Sequence, residues 1–149
     1  MAVPQPYESI VAWQRADDLV VEVYRVTQGF PRSELYGLTS QMRRAAVSVA
    51  SNIAEGSCRQ YFKEYQQFLH MADASLSEVA YYIHLAHRLL LLDATTTARL
   101  QAMRADVGRP LHGLIGWVQE QIAQGVSVNM RVSEDVASYA AAGDEVDAH

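Results

Sequence analysis

The sequence predicts an all-α protein, an antiparallel up-down-up-down four-helix bundle followed by a flexible acidic C-terminal tail. Three observations carry that prediction. Residues 41–56 read Q-M-R-R-A-A-V-S-V-A-S-N-I-A-E-G, and around them Leu38, Met42, Ala45, Ala46, Val49 and Ile53 share one helical side at gaps of three and four. From Phe62 onward, Tyr65, Leu69, Ala72, Leu76, Val79, Ile83, Ala86 and Leu90 continue the same alternation without a miss. That seam spans roughly 45 Å at about 1.5 Å per residue. No segment alternates with the period of two that a half-buried strand needs, and no internal repeat is present.

The elements follow in order. Residues 1–8, with Pro4 and Pro6, form an extended lead-in. Ser9 is placed to cap a first helix reaching to about Gln28. Its inner face reads Ile10, Trp13, Ala16, Val20, Tyr24 and Thr27, and its outer face Gln14, Asp18, Glu22 and Arg25. Gly29-Phe30-Pro31 ends it, because proline biases the residue before it away from helix. Ser33 is placed to cap the second helix, with Glu34 in its first turn. Gly56 is expected to stop that helix in the left-handed conformation. The third helix starts either from a capping box on Ser57 and Gln60 or after a loop through Tyr61.

Asp93 caps a fourth helix whose inner face reads Leu100, Met103, Val107, Leu111, Leu114 and Val118. Pro110 predicts a kink near Asp106, since proline removes one backbone bond and crowds the preceding turn. Gly125 closes the helix, so the bundle is assigned to residues 1–125 and the tail to 126–149. The tail is acidic, rich in alanine and poor in large apolar groups, which predicts mobility. Within it, Ser133-Glu134-Asp135 can start one short helix.

Half of the 149 residues are hydrophobic and the formal charge is −5. Residues 1–125 hold eleven Lys+Arg against twelve Asp+Glu, whereas 126–149 hold one against five. The body is therefore near neutral, without the basic excess that announces a nucleic-acid binder. A single cysteine, Cys58, suits a reducing compartment and a small residue in a helix connection. The N-terminus lacks the pattern of a signal peptide, and no stretch has the length of a membrane span. The expectation is a cytoplasmic protein with no membrane partner.

W-Q-R-A at 13–16, Y-R-V-T-Q-G-F-P at 24–31 and E-L-Y-G-L-T-S-Q-M-R-R-A-A-V-S-V-A-S-N-I-A-E-G at 34–56 resemble the bacterial "four helix bundle protein" family. That family is related to proteins encoded in ribosomal-RNA intervening sequences. K-E-Y-Q-Q-F-L and A-S-L-S-E-V within 63–79 extend the resemblance, which covers roughly residues 7–124. It implies a bundle that assembles as a ring of five subunits. It also implies kinship to accessory proteins of diversity-generating retroelements, basic rings that bind nucleic acid and a reverse transcriptase. The near-neutral body of this chain departs from those relatives in charge.

Candidate sites are few. Di-iron bundles use Glu-x-x-His on two helices, and no glutamate here has a histidine three residues later. His84 and His87 are three apart, but Ile83 and Ala86 occupy the core seam beside them. No nucleophile motif or glycine-rich phosphate loop is present, so neither metal, cofactor nor enzymatic activity is expected. Arg43, Arg44 and Arg59 are the candidate contacts for a partner or nucleic acid, since guanidinium binds phosphate or carboxylate bidentately. Gln41, Asn52 and Glu55 are assigned to a structural polar network, which also competes for Arg44. Tyr61, Tyr65, Tyr81 and Tyr82 can stack on bases, but at helical spacing core or subunit interface is the stronger reading. The second helix is apolar around more than half its circumference, and Trp13, Tyr81, Tyr82 and Trp117 add large side chains. Ala50, Ala54, Tyr81 and Tyr82 are therefore the candidate oligomer interface.

Two function classes follow. One is a non-enzymatic homo-oligomeric assembly or scaffold protein, a pentameric ring by the family resemblance, that can also hold a protein partner. The other is a nucleic-acid-binding accessory protein acting on RNA or a retroelement-like ribonucleoprotein complex. Neutral body charge favours the first, and the resemblance sustains the second.

Overall fold

Each predicted amphipathic segment forms one helix in the computed structural model, which describes residues 5–130. They are α1 (Val11–Thr27), α2 (Leu38–Ser57), α3 (Phe62–Arg88) and α4 (Ala94–Ala123), with short 3-10 turns at Pro6–Ser9 and Arg32–Glu34. Each helix packs on its neighbours in sequence, and α1 packs on α4, closing an antiparallel four-helix bundle. The α1–α2 and α3–α4 connections lie at one end, and the α2–α3 connection at the other.

The α3 seam from Phe62 to Ala86 is buried throughout. Against it lie Met42, Val49 and Ile53 of α2 and Leu100, Val107, Leu111, Ile115 and Val118 of α4. A fully buried side chain of this size contributes about 1.5–3 kcal/mol relative to exposure. Leu90, the expected last position of the seam, is instead 89% exposed with φ 61°. It ends α3 as a left-handed residue, letting the Leu91 and Leu92 N–H groups turn back to the Ala86 carbonyl at 2.9 and 3.4 Å.

Several sequence expectations are corrected by packing. The buried side of α1 is Ala12, Ala16, Leu19, Glu22, Val23 and Thr27, so the helix is rotated by about one residue from the predicted face. Trp13 and Val20 pack at the edge of the core, and Tyr24 is exposed. Ser9 does not cap α1; its hydroxyl donates to Pro6 O. Ser33 does not cap α2. Glu34 does so from four residues upstream, its carboxylate accepting the Leu38 N–H at 3.1 Å. Asp93 caps α4 as expected, accepting the Thr96 N–H at 2.7 Å, a bond that lowers the acid's pKa.

Gly56 lies inside α2, which continues to Ser57. A Cβ there would sit 2.7 Å from Phe68 Cβ, so this glycine sets the close approach of α2 and α3. The third helix begins after an extended Tyr61, without a capping box. Across Pro110, α4 remains continuous over its 30 residues.

Residues 126–129, assigned from sequence to the tail, fold back onto the α2–α3 connection. Phe62 N–H donates to Ser127 O at 3.0 Å, Asn129 N–H donates to Gln60 O at 2.7 Å, and Tyr61 and Val128 form an antiparallel bridge. Asn129 is 2% exposed, its amide directed at the Ser57 and Arg59 carbonyls. The folded unit thus extends past Gly125. The remainder of the expected tail, 131–149, lies outside the described residues.

Candidate functional site

The predicted contact residues separate into engaged and free groups. Arg43 is engaged. Its Nε donates to Thr27 Oγ1 at 2.8 Å and its guanidinium stacks 4.5 Å from the Tyr24 ring centroid, tying α2 to the end of α1. Arg59 pairs with Glu55 at 2.7 Å and lies 4.8 Å over the Phe68 ring, while its buried Nε finds no acceptor among the described residues. Arg44 is exposed and makes no side-chain hydrogen bond or ion pair among the described residues.

Of the expected polar network, Asn52 is the centre. Its Nδ2 donates to Ser48 O at 2.8 Å and contacts Ser48 Oγ at 3.0 Å, and Ser48 Oγ meets Ser75 Oγ of α3 at 2.8 Å. Gln41 is exposed and outside this network. In a second network the Glu22–Arg25 pair follows from one-turn spacing in the sequence, but its link to Arg99 does not. Glu22, placed there on the outer face of α1, is only 9% exposed and accepts from both Arg25 and Arg99, joining α1 to α4. The Arg99 hydrogen bond, outweighing burial, holds the Glu22 carboxyl below its ordinary pKa.

The candidate interface residues also divide. Ala50 is buried by its own chain and Ala54 half-buried, next to exposed Val47 on α2. Tyr81 is 57% exposed with its ring 5.9 Å from half-buried Tyr82. Trp117 meets Phe62 edge-on at 5.5 Å.

The outward side of α3 carries a ridge not anticipated from the sequence. Lys63, Gln67, His70, Ala74, Ser77, Tyr81, His84 and Arg88 recur at gaps of four and three, and all eight are exposed. The ridge contains no carboxylate, although Glu64 and Glu78 flank it on the α2 side. Lys63 and Arg88 make no ion pair among the described residues. Its spacing was readable in the sequence by following α3 from Lys63 instead of from Phe62. Among the described residues, no three His, Cys, Asp or Glu side chains gather as a metal site.

The model of the 23S rRNA-intervening sequence protein family matches residues 8–113. The chain belongs to this family. A solved structure similar to it is a protein of unknown function from the S23 ribosomal protein family of Bacteroides thetaiotaomicron. That structure is 16% identical, with a TM-score of 0.67 over 71% of this chain and 96% of the other. At that identity the similarity concerns the fold. No curated protein matches the sequence. Among the described residues, no helix of this family member is long and apolar enough to cross a membrane.

Proposed function

We propose that this protein is a non-catalytic accessory module that associates with RNA or a ribonucleoprotein through the outward face of α2 and α3. The observation that carries this reading is the carboxylate-free α3 ridge, with exposed Arg44 on α2 unpaired among the described residues, in a chain of net charge −5. The family's name, which ties its members to 23S rRNA intervening sequences, supports RNA as the partner. Lys63, Arg88 and Arg44 supply phosphate contacts, and Tyr81 offers a ring on which an unpaired base can stack.

With so few unpaired cations among the described residues, one subunit binds weakly and with only a shallow salt dependence. Titration of a labelled structured RNA at about 50 and about 200 mM salt tests the reading, since each phosphate neutralised on duplex contributes a slope of about −0.9. Replacing Arg44, Lys63 and Arg88 together by Glu should lower affinity at least about tenfold and flatten that slope. Binding that ignores both salt and charge reversal removes RNA from the account.

A second reading, homo-oligomeric assembly, is favoured by exposed Val47 and half-buried Ala54 and Trp13 on the α1–α2 flank. Assembly multiplies weak RNA contacts by effective concentration. The expected particle is a pentamer, the number resting on the family resemblance. Ala54→Arg or Val47→Arg should reduce its mass in light scattering; Ala50 is a poorer position because it packs within its own chain. A wild-type mass of one subunit at micromolar concentration rejects this reading.

A further inference from the structure

The two ends of the bundle differ in charge. Cut at the helix midpoints, the half holding the α1–α2 and α3–α4 connections (residues 20–47 and 76–108) has seven Lys+Arg and five Asp+Glu. The other half (5–19, 48–75 and 109–130) has four against seven. One end is therefore +2 and the opposite end −3.

They also differ in shape. The positive end projects Leu89 at 52% and Leu90 at 89% exposure, with Tyr36 at 93% on the other connection of that end. Leu90 holds φ 61°, a conformation that penalises any side chain and that glycine adopts freely. Among the described residues, nothing covers the side chain placed there. At the negative end a solvent-open cavity of about 530 Å³ is lined by Tyr61, Phe62, Ile122 and Val126, among others, between the start of α3 and the end of α4. It has ample room for leucine side chains.

We propose that the Leu89–Leu90 corner of one molecule seats in this cavity of a second copy, making an end-to-end contact between opposite ends. Apolar projection meets apolar recess, and a net positive end meets a net negative one. Because the two surfaces differ, the contact is heterologous: it propagates as a filament or closes as a ring according to the rotation between copies. It uses the ends of the bundle and is separate from assembly along the α1–α2 flank, whereas Lys63, which lines the cavity, and Arg88, next to Leu89, also belong to the α3 ridge.

Disulfide trapping tests the pairing directly. In full-length Cys58→Ser protein, Leu90→Cys and Val126→Cys versions are mixed under mild oxidant. The mixed 90-to-126 product should exceed its random share, with little 90-to-90 product. Sedimentation supplies a second measure: Leu90→Asp should weaken end-to-end association by about tenfold or more, as loss of a central apolar anchor does. Leu90→Gly should weaken it too while raising the melting temperature, which separates lost contact from lost folding. A random distribution of disulfide products overturns the proposal. So does association unchanged by Leu90→Asp.

Discussion

The two ends of this bundle solve the problem of ending helices in opposite ways. At the α2–α3 end, the polypeptide returns after Gly125, and residues 127–129 pair with 60–62, giving the connection's backbone groups partners from within the chain. Buried Asn129 adds its side-chain amide to two further carbonyls of that connection. At the opposite end no described segment returns. Leu90 takes a left-handed backbone, and its side chain remains in solvent together with that of Tyr36. One end is optimised for the stability of the single chain. The other carries a feature that stability alone disfavours, which marks where contacts outside the chain are to be sought.

The α3 seam runs between the two ends and is common to both. Leu69→Ala towards the closed end and Ile83→Ala towards the open end should each lower stability by about 2–5 kcal/mol in urea denaturation, as buried large-to-small changes do. A large disparity between them would mean that the ends differ in core packing as well as in closure.

Asn129→Ala breaks the closed end specifically. It leaves two connection carbonyls without the amide, so a loss of about 1–2 kcal/mol is expected by the same denaturation. Truncation after Gly125 should reproduce that loss, whereas truncation after Met130 should not. Equal stability of the two truncations would show that residues 126–130 contribute nothing to the fold.

Leu90→Gly acts at the open end with the opposite sign. Relief of the left-handed backbone should raise stability by about 1 kcal/mol, read as a higher melting temperature. A decrease would place the leucine side chain in the core.

The smallest effect concerns Glu22, also in the open half. Its folded pKa lies below its unfolded value, so its contribution is complete above the ordinary glutamate value of 4.5 and fades as pH falls through the depressed one. Wild type and Glu22→Gln should therefore differ most at neutral pH and converge well below that value. A difference independent of pH would assign the effect to hydrogen bonding alone.

The inner seam of α3, the α2 core face and the number of helices were legible from residue spacing, because burial of one side of a helix imposes gaps of three and four on the chain itself. The roles of Arg43, Asn52 and Arg44 were only partly so. All three are polar residues on one helix, and which of them is consumed internally depends on what α1 and α3 present opposite. The rotation of α1 was misread because its apolar residues cover so wide an arc that Trp13, Val20 and Tyr24 compete with Leu19 and Val23 for the core.

What the sequence determined by itself was therefore the set of helices and the apolar stripe of the long α3, properties written in local periodicity. Tertiary structure alone decided that Glu22 turns inward to meet Arg99, 77 residues away. It also decided that Gly56 serves the approach of Phe68, and that Asn129 returns to Ser57. Each of these depends on groups distant in sequence, and periodicity along one helix carries no record of what stands across the interface.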